Sequence, residues 1–532
     1  MMLQQGGFVW NHLPPQTIAL SAVAAALILR FLYPILVYIL DPKGLRKYPA
    51  PSVAAFTQLW QMYHNWHGQK FLAVDRVHKE LGPVVRLGPS HLSFSSPQAF
   101  KDIYGHGASL RKDTFYDNQG GDNPNMAEAS DKEVHRGKRR NLAHVFAPGQ
   151  ITSMEPRVME VVRKLIHALE QKSKGLKMAE TDRFEVTNGV FDLRPWMNMF
   201  SYDAITNVFW SQTYGFLDRG NDDCLAETAD GSIKTVNAMS TFHTGAGHSV
   251  LLGHLSPFWY NLMRNVLLGW TRRTQCGNTF TDMARHLAKT RLNSPPSEPD
   301  LFSNLPTLPT AKRCAHPMSL DEIVAESGVM LNAGNDTTQT SLTNTMYFLA
   351  ANRSTQQKLR GILQSRLDQK HIPIAPYEIL RHIPYLRAVL DESFRLQTPL
   401  GTGLPRLTTE TTLIDGELVA AGVTVSAQTW SLHRREDLFY RADQWVPDRW
   451  IPESGVASDE ERQNLKDYVL PFSLGPRACI GRNLAYMELS ICIAAMVLAF
   501  EWELPEKGQA LRHHERFNCN PVELPIRAKC LL

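Results

Sequence analysis

The chain opens on an apolar run and then alternates between helical and strand-like patterns. From Gln16 to Leu40 it reads Ile18-Ala-Leu-Ser-Ala-Val-Ala-Ala-Ala-Leu-Ile-Leu29, then Arg30, then Phe31-Leu-Tyr-Pro-Ile-Leu-Val-Tyr-Ile-Leu40. About 20 apolar residues span a bilayer, so the run predicts a membrane-crossing helix, kinked at Pro34. Arg30 costs it roughly 3 kcal/mol unless the side chain snorkels. Tyr48-Pro-Ala-Pro51 is a stiff connector, because proline fixes its own φ and extends the residue before it. Phe71–Leu81 has helical spacing, and Val84-Val-Arg-Leu with Leu92-Ser-Phe-Ser reads as a hairpin across a Gly-Pro turn. The polar, Gly- and Asn-rich stretch from Phe115 to Glu128 predicts a loop.

From about 150 to 300 the pattern is mainly helical and poor in motifs; His243 and His248, flanking Thr-Gly-Ala-Gly, read as ordinary surface residues. Ser319 and Glu322 form a capping box that starts a helix running to about Ala351. A further helix covers Leu386 to Leu396. A hairpin turns at Asp415-Gly416, and Val423-Thr-Val reads as a strand. The predicted class is mainly α with a small β portion.

Composition narrows the picture. With 532 residues, 43% apolar and 20% charged, the chain buries a large core. A net charge of +4 is too small to argue for a nucleic-acid partner. The seven cysteines are scattered, without C-x-x-C pairs or metal-finger spacing, which fits a reducing compartment. Lys43, Arg46 and Lys47 follow the apolar run and no Lys or Arg precedes Arg30, so the bulk of the protein is expected on the cytosolic side. A cleaved signal peptide is the rival; the missing basic n-region and the length of the run argue against it.

The candidate chemistry centres on Phe472-Ser-Leu-Gly475-Pro-Arg477-Ala-Cys479-Ile-Gly481. Cys479 precedes a helical stretch from Asn483, and a thiol at a helix N-terminus meets unpaired N–H groups and the positive dipole end, both favouring thiolate. Gly475 and Gly481 permit tight turns beside a planar group, and Arg477 is placed to meet a carboxylate. The decapeptide resembles the F-x-x-G-x-R-x-C-x-G element of the cytochromes P-450. That resemblance implies that Cys479 is the axial ligand of haem b, with Phe472, Arg477 and Gly481 shaping its surroundings.

Three further motifs follow the family's order. Ala333-Gly334-Asn-Asp336-Thr337 fits [AG]-G-x-[DE]-T; by resemblance Gly334 leaves room for dioxygen, Thr337 hydrogen-bonds it, and Asp336 feeds protons from solvent. Thr338 is a second hydroxyl without an assigned role, and the sequon Asn335-Asp-Thr is a false match within a core helix. Glu392 and Arg395, with Arg449 of Trp445-Val-Pro-Asp-Arg449-Trp450, resemble the family's structural Glu–Arg–Arg cluster. His135 and Arg139, four residues apart, and Arg406 after a turn-rich segment resemble propionate-binding positions, His135 replacing the commoner Trp. Arg136, Lys138 and Arg140 are candidates to face an acidic electron donor.

The resemblance implies a single large catalytic domain over 42–532 and a single-pass N-terminal anchor over 1–41 in the endoplasmic reticulum membrane. It implies a monooxygenase using dioxygen and a lipophilic substrate. Nothing in the chain resembles a flavin or nicotinamide domain, so electrons are expected from a membrane-bound NADPH–cytochrome reductase. Pocket walls are expected from Phe115 and Tyr116, Met330–Thr338, Leu400–Leu404 and Phe517, largely apolar with a few hydroxyls. The wording around Trp445 looks most like fungal members of secondary metabolism. The rivals are a haem-thiolate isomerase or dehydratase, against which the Asp336–Thr337 pair argues, and a haem-based gas-binding protein.

Overall fold

The computed structural model describes residues 32–121, 123–305 and 318–532. The predicted anchor falls largely on residues 1–31, outside the described ones. Residues 32–40 are helical and expose Leu32, Tyr33, Leu36, Ile39 and Leu40. The proline connector then lies along the sheet: Arg86 N donates to Pro49 O at 2.8 Å, and Tyr48 Oη donates to Glu417 at 2.8 Å.

Helices dominate, as the periodicity predicts. Three of them form the centre: Arg194–Trp210, Leu320–Ala351 and Arg482–Ala499. Every residue from Pro195 to Trp210 is buried, and so is every residue from Leu489 to Ala499. A helix apolar on all sides needs neighbours on all sides, and Glu155–Ser173, Arg272–Asn293 and Pro384–Leu396 provide them. Arg482–Ala499 is also long and apolar enough to cross a bilayer, but 83% of it is buried inside the protein. Its hydropathy is that of a core helix.

The β portion is small and peripheral. Val84–Gly88 and His91–Phe94 form the predicted hairpin, extended by Thr424–Ala427, Arg406–Leu407 and Arg111–Lys112 into a five-stranded sheet. The Asp415-Gly416 hairpin also forms, with φ of 51° and 79° at its turn. Two stretches differ from the sequence reading. Thr114–Gly120 is a helix, not loop: Asp113 Oδ1 caps it by accepting from Phe115 N at 2.9 Å, and burying Phe115 and Tyr116 outweighs the polar composition. Within the helical 150–300 region, Asp223–Glu227 and Ile233–Asn237 pair as a hairpin.

Candidate active site

Cys479 stands two residues before Gly481, the N-cap of Arg482–Ala499. It lines a cavity of about 590 Å³. Its backbone is fixed by a hydrogen bond from Cys479 N to Phe472 O at 2.9 Å. Burial pushes the Cys479 thiol up, opposed by N–H groups of Gly481 and Arg482 and by the Arg139 and Arg482 charges. Coordination to a metal ion would favour the thiolate. Phe472 leans on Phe394 and Tyr486, with ring centroids 5.5 and 5.1 Å apart.

The two loop glycines do different things. A Cβ on Gly475, at φ +68°, would come within 2.4 Å of Tyr104 O, so its glycine fits the loop onto the helix Pro97–Tyr104 rather than beside a cofactor. A Cβ on Gly481 would lie 4.0 Å from the Cys479 sulfur.

Beside the cysteine lies a cluster of cations. Lys112, Arg139, Arg406 and Arg477 crowd His135, which burial and these four charges push down to about 3. Their head groups reach main-chain carbonyls: Lys112 to Ala127, Arg139 to Ala478 at 2.7 Å, Arg406 to Pro405 at 3.1 Å and Arg477 to Ala129 at 2.5 Å. Among the described residues none of the four forms an ion pair with a carboxylate. Clustered buried cations are costly without anions to meet them, and the two propionates of a haem are such anions. The residues therefore fit haem, with Cys479 as the thiolate donor. Lys112 was not legible as a member; nothing in Leu110-Arg-Lys112 marks it, and only the sheet brings it here.

The long helix supplies the opposite chemistry. Thr337 lines the cavity and its Oγ1 donates back to Ala333 O at 2.7 Å. Asp336 is 2% exposed. It accepts from Asn518 Nδ2 at 2.6 Å, Asn520 Nδ2 at 2.8 Å, Gln339 Nε2 at 3.2 Å and His243 Nε2 at 3.3 Å. Burial alone would raise its pKa; the hydrogen bonds from His243, Asn518 and Asn520 outweigh it and hold the carboxyl at about 2. His243 is itself pushed down to about 4 by burial, so at neutral pH the pair is a carboxylate and a neutral imidazole.

Four expectations change at this site. His243 is no surface residue but a partner of Asp336, and His248 is buried too, bonded to Thr274 Oγ1 at 3.0 Å. Gly334 does not open space toward the cavity: a Cβ there would meet Ile205 Cγ1 at 2.6 Å, so the glycine lets two central helices approach. Lys138 is not free for a partner, because its Nζ pairs with the buried Glu326 at 3.0 Å. Met330 sits in the core and Phe115 lies behind Phe517, whereas Tyr116, Leu400, Leu404 and Phe517 do line the cavity. Thr338 Oγ1 is 3.4 Å from Glu488 Oε2, linking the long helix to the cysteine helix; burial raises Glu488 to about 8. Asn335 is fully buried, in keeping with a false sequon.

Glu392, Arg395 and Arg449 form one buried cluster. Glu392 accepts from Arg395 Nε and Nη2 at 3.0 and 2.9 Å, Arg449 Nε at 3.0 Å, Trp450 Nε1 at 2.9 Å and Val446 N at 2.9 Å. Arg395 and Arg449 also donate to carbonyls of His433, Ala442 and Tyr440. The cluster thus ties the helix Pro384–Leu396 to the segment 433–450, and Phe394 carries that order to Phe472.

A sequence model of the cytochrome P450 family matches residues 48–526. This chain belongs to the cytochrome P450 family. The P450 is 28% identical over 521 residues to the benzoate 4-monooxygenase of Aspergillus niger, covering 95% of this chain and 96% of that one. It is 29% identical over 498 residues to the trichothecene C-15 hydroxylase of Fusarium sporotrichioides, covering 92% and 93%. Its fold matches a crystal structure of a cytochrome P450 with a TM-score of 0.70 at 19% identity, covering 91% of this P450 and 98% of that chain. It is a cytochrome P450 monooxygenase, an oxidoreductase, and membership implies the haem-thiolate cofactor that the site fits.

Proposed function

We propose that this P450 inserts one atom of dioxygen into a lipophilic organic substrate in fungal secondary metabolism. Its electrons come from a separate NADPH reductase, and its N-terminus tethers it to the cytosolic face of the endoplasmic reticulum. One observation carries the reading. A single cavity is lined by Cys479, by Thr337 and Asp336, and by Lys112 and Arg477 of the cationic cluster. Relatives named for oxidising benzoate and a trichothecene support a small organic substrate.

With its thiolate donor, haem supplies dioxygen activation and O–O cleavage. The chain supplies position, dryness and protons. Cys479 would hold the group through its thiolate, and Arg477, Arg406, Arg139, Lys112 and His135 would meet its carboxylates. Thr337 lines the cavity, and with its proton given to Ala333 O its Oγ1 lone pairs are free to accept. Asp336, an ionised carboxylate beside neutral His243, takes up a proton from solvent and passes it on toward Thr337.

Reconstitution with a membrane NADPH reductase and a panel of lipophilic compounds tests this. The wild type is expected to form product only with NADPH present. Thr337→Ala is expected to keep its haem and consume NADPH, but to release most reducing equivalents as peroxide, with product per NADPH down about tenfold or more. Product formed without NADPH or reductase would favour the isomerase instead. Tight coupling in Thr337→Ala would remove that hydroxyl from proton delivery.

A further inference from the structure

The cavity wall carries a charge that neither the cofactor nor proton delivery uses. The hairpin His513–Glu515 and Cys519–Pro521 turns through Arg516, Phe517 and Asn518, and all three turn residues line the cavity. Phe517 adopts φ 93°, a backbone region costly for a side chain with a Cβ. That turn sends Asn518 to Asp336 at 2.6 Å, stacks Phe517 on Phe115 with centroids 6.4 Å apart, and leaves Arg516 beside them. The Arg516 stem lies over Gly247, where a Cβ would come 3.9 Å from its Cγ.

Among the described residues the Arg516 guanidinium has no partner: it donates no side-chain hydrogen bond and makes no ion pair. Asp336, whose charge reaches it, already accepts from His243, Gln339, Asn518 and Asn520. The nearby Arg194 adds positive charge. Burial and Arg194 lower Arg516 to about 10, which leaves it cationic at neutral pH. A half-buried guanidinium offers five donors, in a geometry that a carboxylate matches. The cavity that Arg516 lines also has apolar and aromatic walls, among them Phe242, Val250, Phe280, Leu400 and Leu404.

We infer that Arg516 is a specificity-determining residue that binds the carboxylate of a lipophilic organic acid, whose apolar body fills the cavity toward Thr337 and Cys479. One unpaired guanidinium suits a monoanion, and a planar carboxylate matches its fork. The inference rests on the proposed oxidation of a substrate in this cavity and names that substrate's class.

The test compares matched probes on the haem-loaded, full-length protein: several aryl-alkyl carboxylic acids, each with its methyl ester and its primary alcohol. Binding is measured by calorimetry without NADPH or reductase, so it does not depend on turnover. In the wild type the best acid is expected to bind tighter than its ester on the order of 10- to 100-fold. Arg516→Met is expected to erase the difference between acid and ester, and Arg516→Lys to keep part of it. No acid exceeding its ester by about threefold in the wild type, or a preference surviving in Arg516→Met, would overturn the assignment. The wild-type comparison decides the matter even if Arg516→Met does not fold. Acids that bind through Arg516 yet yield no NADPH-dependent product would sink the proposed oxidation and leave the acid site standing.

Discussion

Cys479→Ser is expected to give a folded protein that lacks the carbon monoxide difference band of a thiolate-ligated haem. Serine is nearly isosteric, and the contacts that place position 479 come from the main chain. These are the bond from Cys479 N to Phe472 O and the approach of Gly481. The loop therefore keeps its shape while the donor atom changes. A hydroxyl does not ionise near neutral pH as a metal-bound thiol does, and it is a far weaker donor to iron. The expected effect is complete loss of the band and of NADPH-driven turnover. A band that survived would place the ligand elsewhere. Cys492 and Cys519 are poor substitutes, since both are buried with thiols pushed well up.

Glu392→Gln is expected to destabilise the fold by about 3–5 kcal/mol, read as a lowered urea midpoint. Against total stabilities of about 5–15 kcal/mol, that is a large fraction. Glu392, Arg395 and Arg449 are each no more than 1% exposed, so no water replaces a lost partner. The amide keeps one acceptor oxygen, whereas Glu392 takes bonds from five donor groups. Haem content per folded molecule should stay near wild type, because the cluster acts through Phe394 on Phe472 and not on the cofactor. A cost below about 1 kcal/mol would mean that the cluster is not structural.

What was legible in the sequence was local. Helical spacing located Phe71–Leu81 and Leu386–Leu396, the capping box of Ser319 located the long helix, and Asp415-Gly416 located its hairpin. Those signals depend on neighbours within a few residues. His243 could not be found that way: it is 93 positions from Asp336, and only the packing of its helix beside the long helix brings them to 3.3 Å. Lys112 is likewise delivered by a short strand pairing with Arg406 across the sheet.

The misreadings have the same origin. A basic run looks ready to face an acidic donor until one member, Lys138, meets a buried Glu326 from another helix. A glycine in a motif looks chemical until Ile205 fills the space beside it. The unpaired Arg516 carried no motif at all, since its lack of a partner is a property of the folded wall.

The central claim is that this chain transfers one oxygen atom from dioxygen to its substrate. The measurement that tests it most directly is turnover with reductase and NADPH under isotopically labelled dioxygen, followed by mass analysis of the product. One labelled oxygen atom per oxidation is expected, with one NADPH consumed for each. Product whose new oxygen is unlabelled, or that forms equally well without dioxygen, would contradict it.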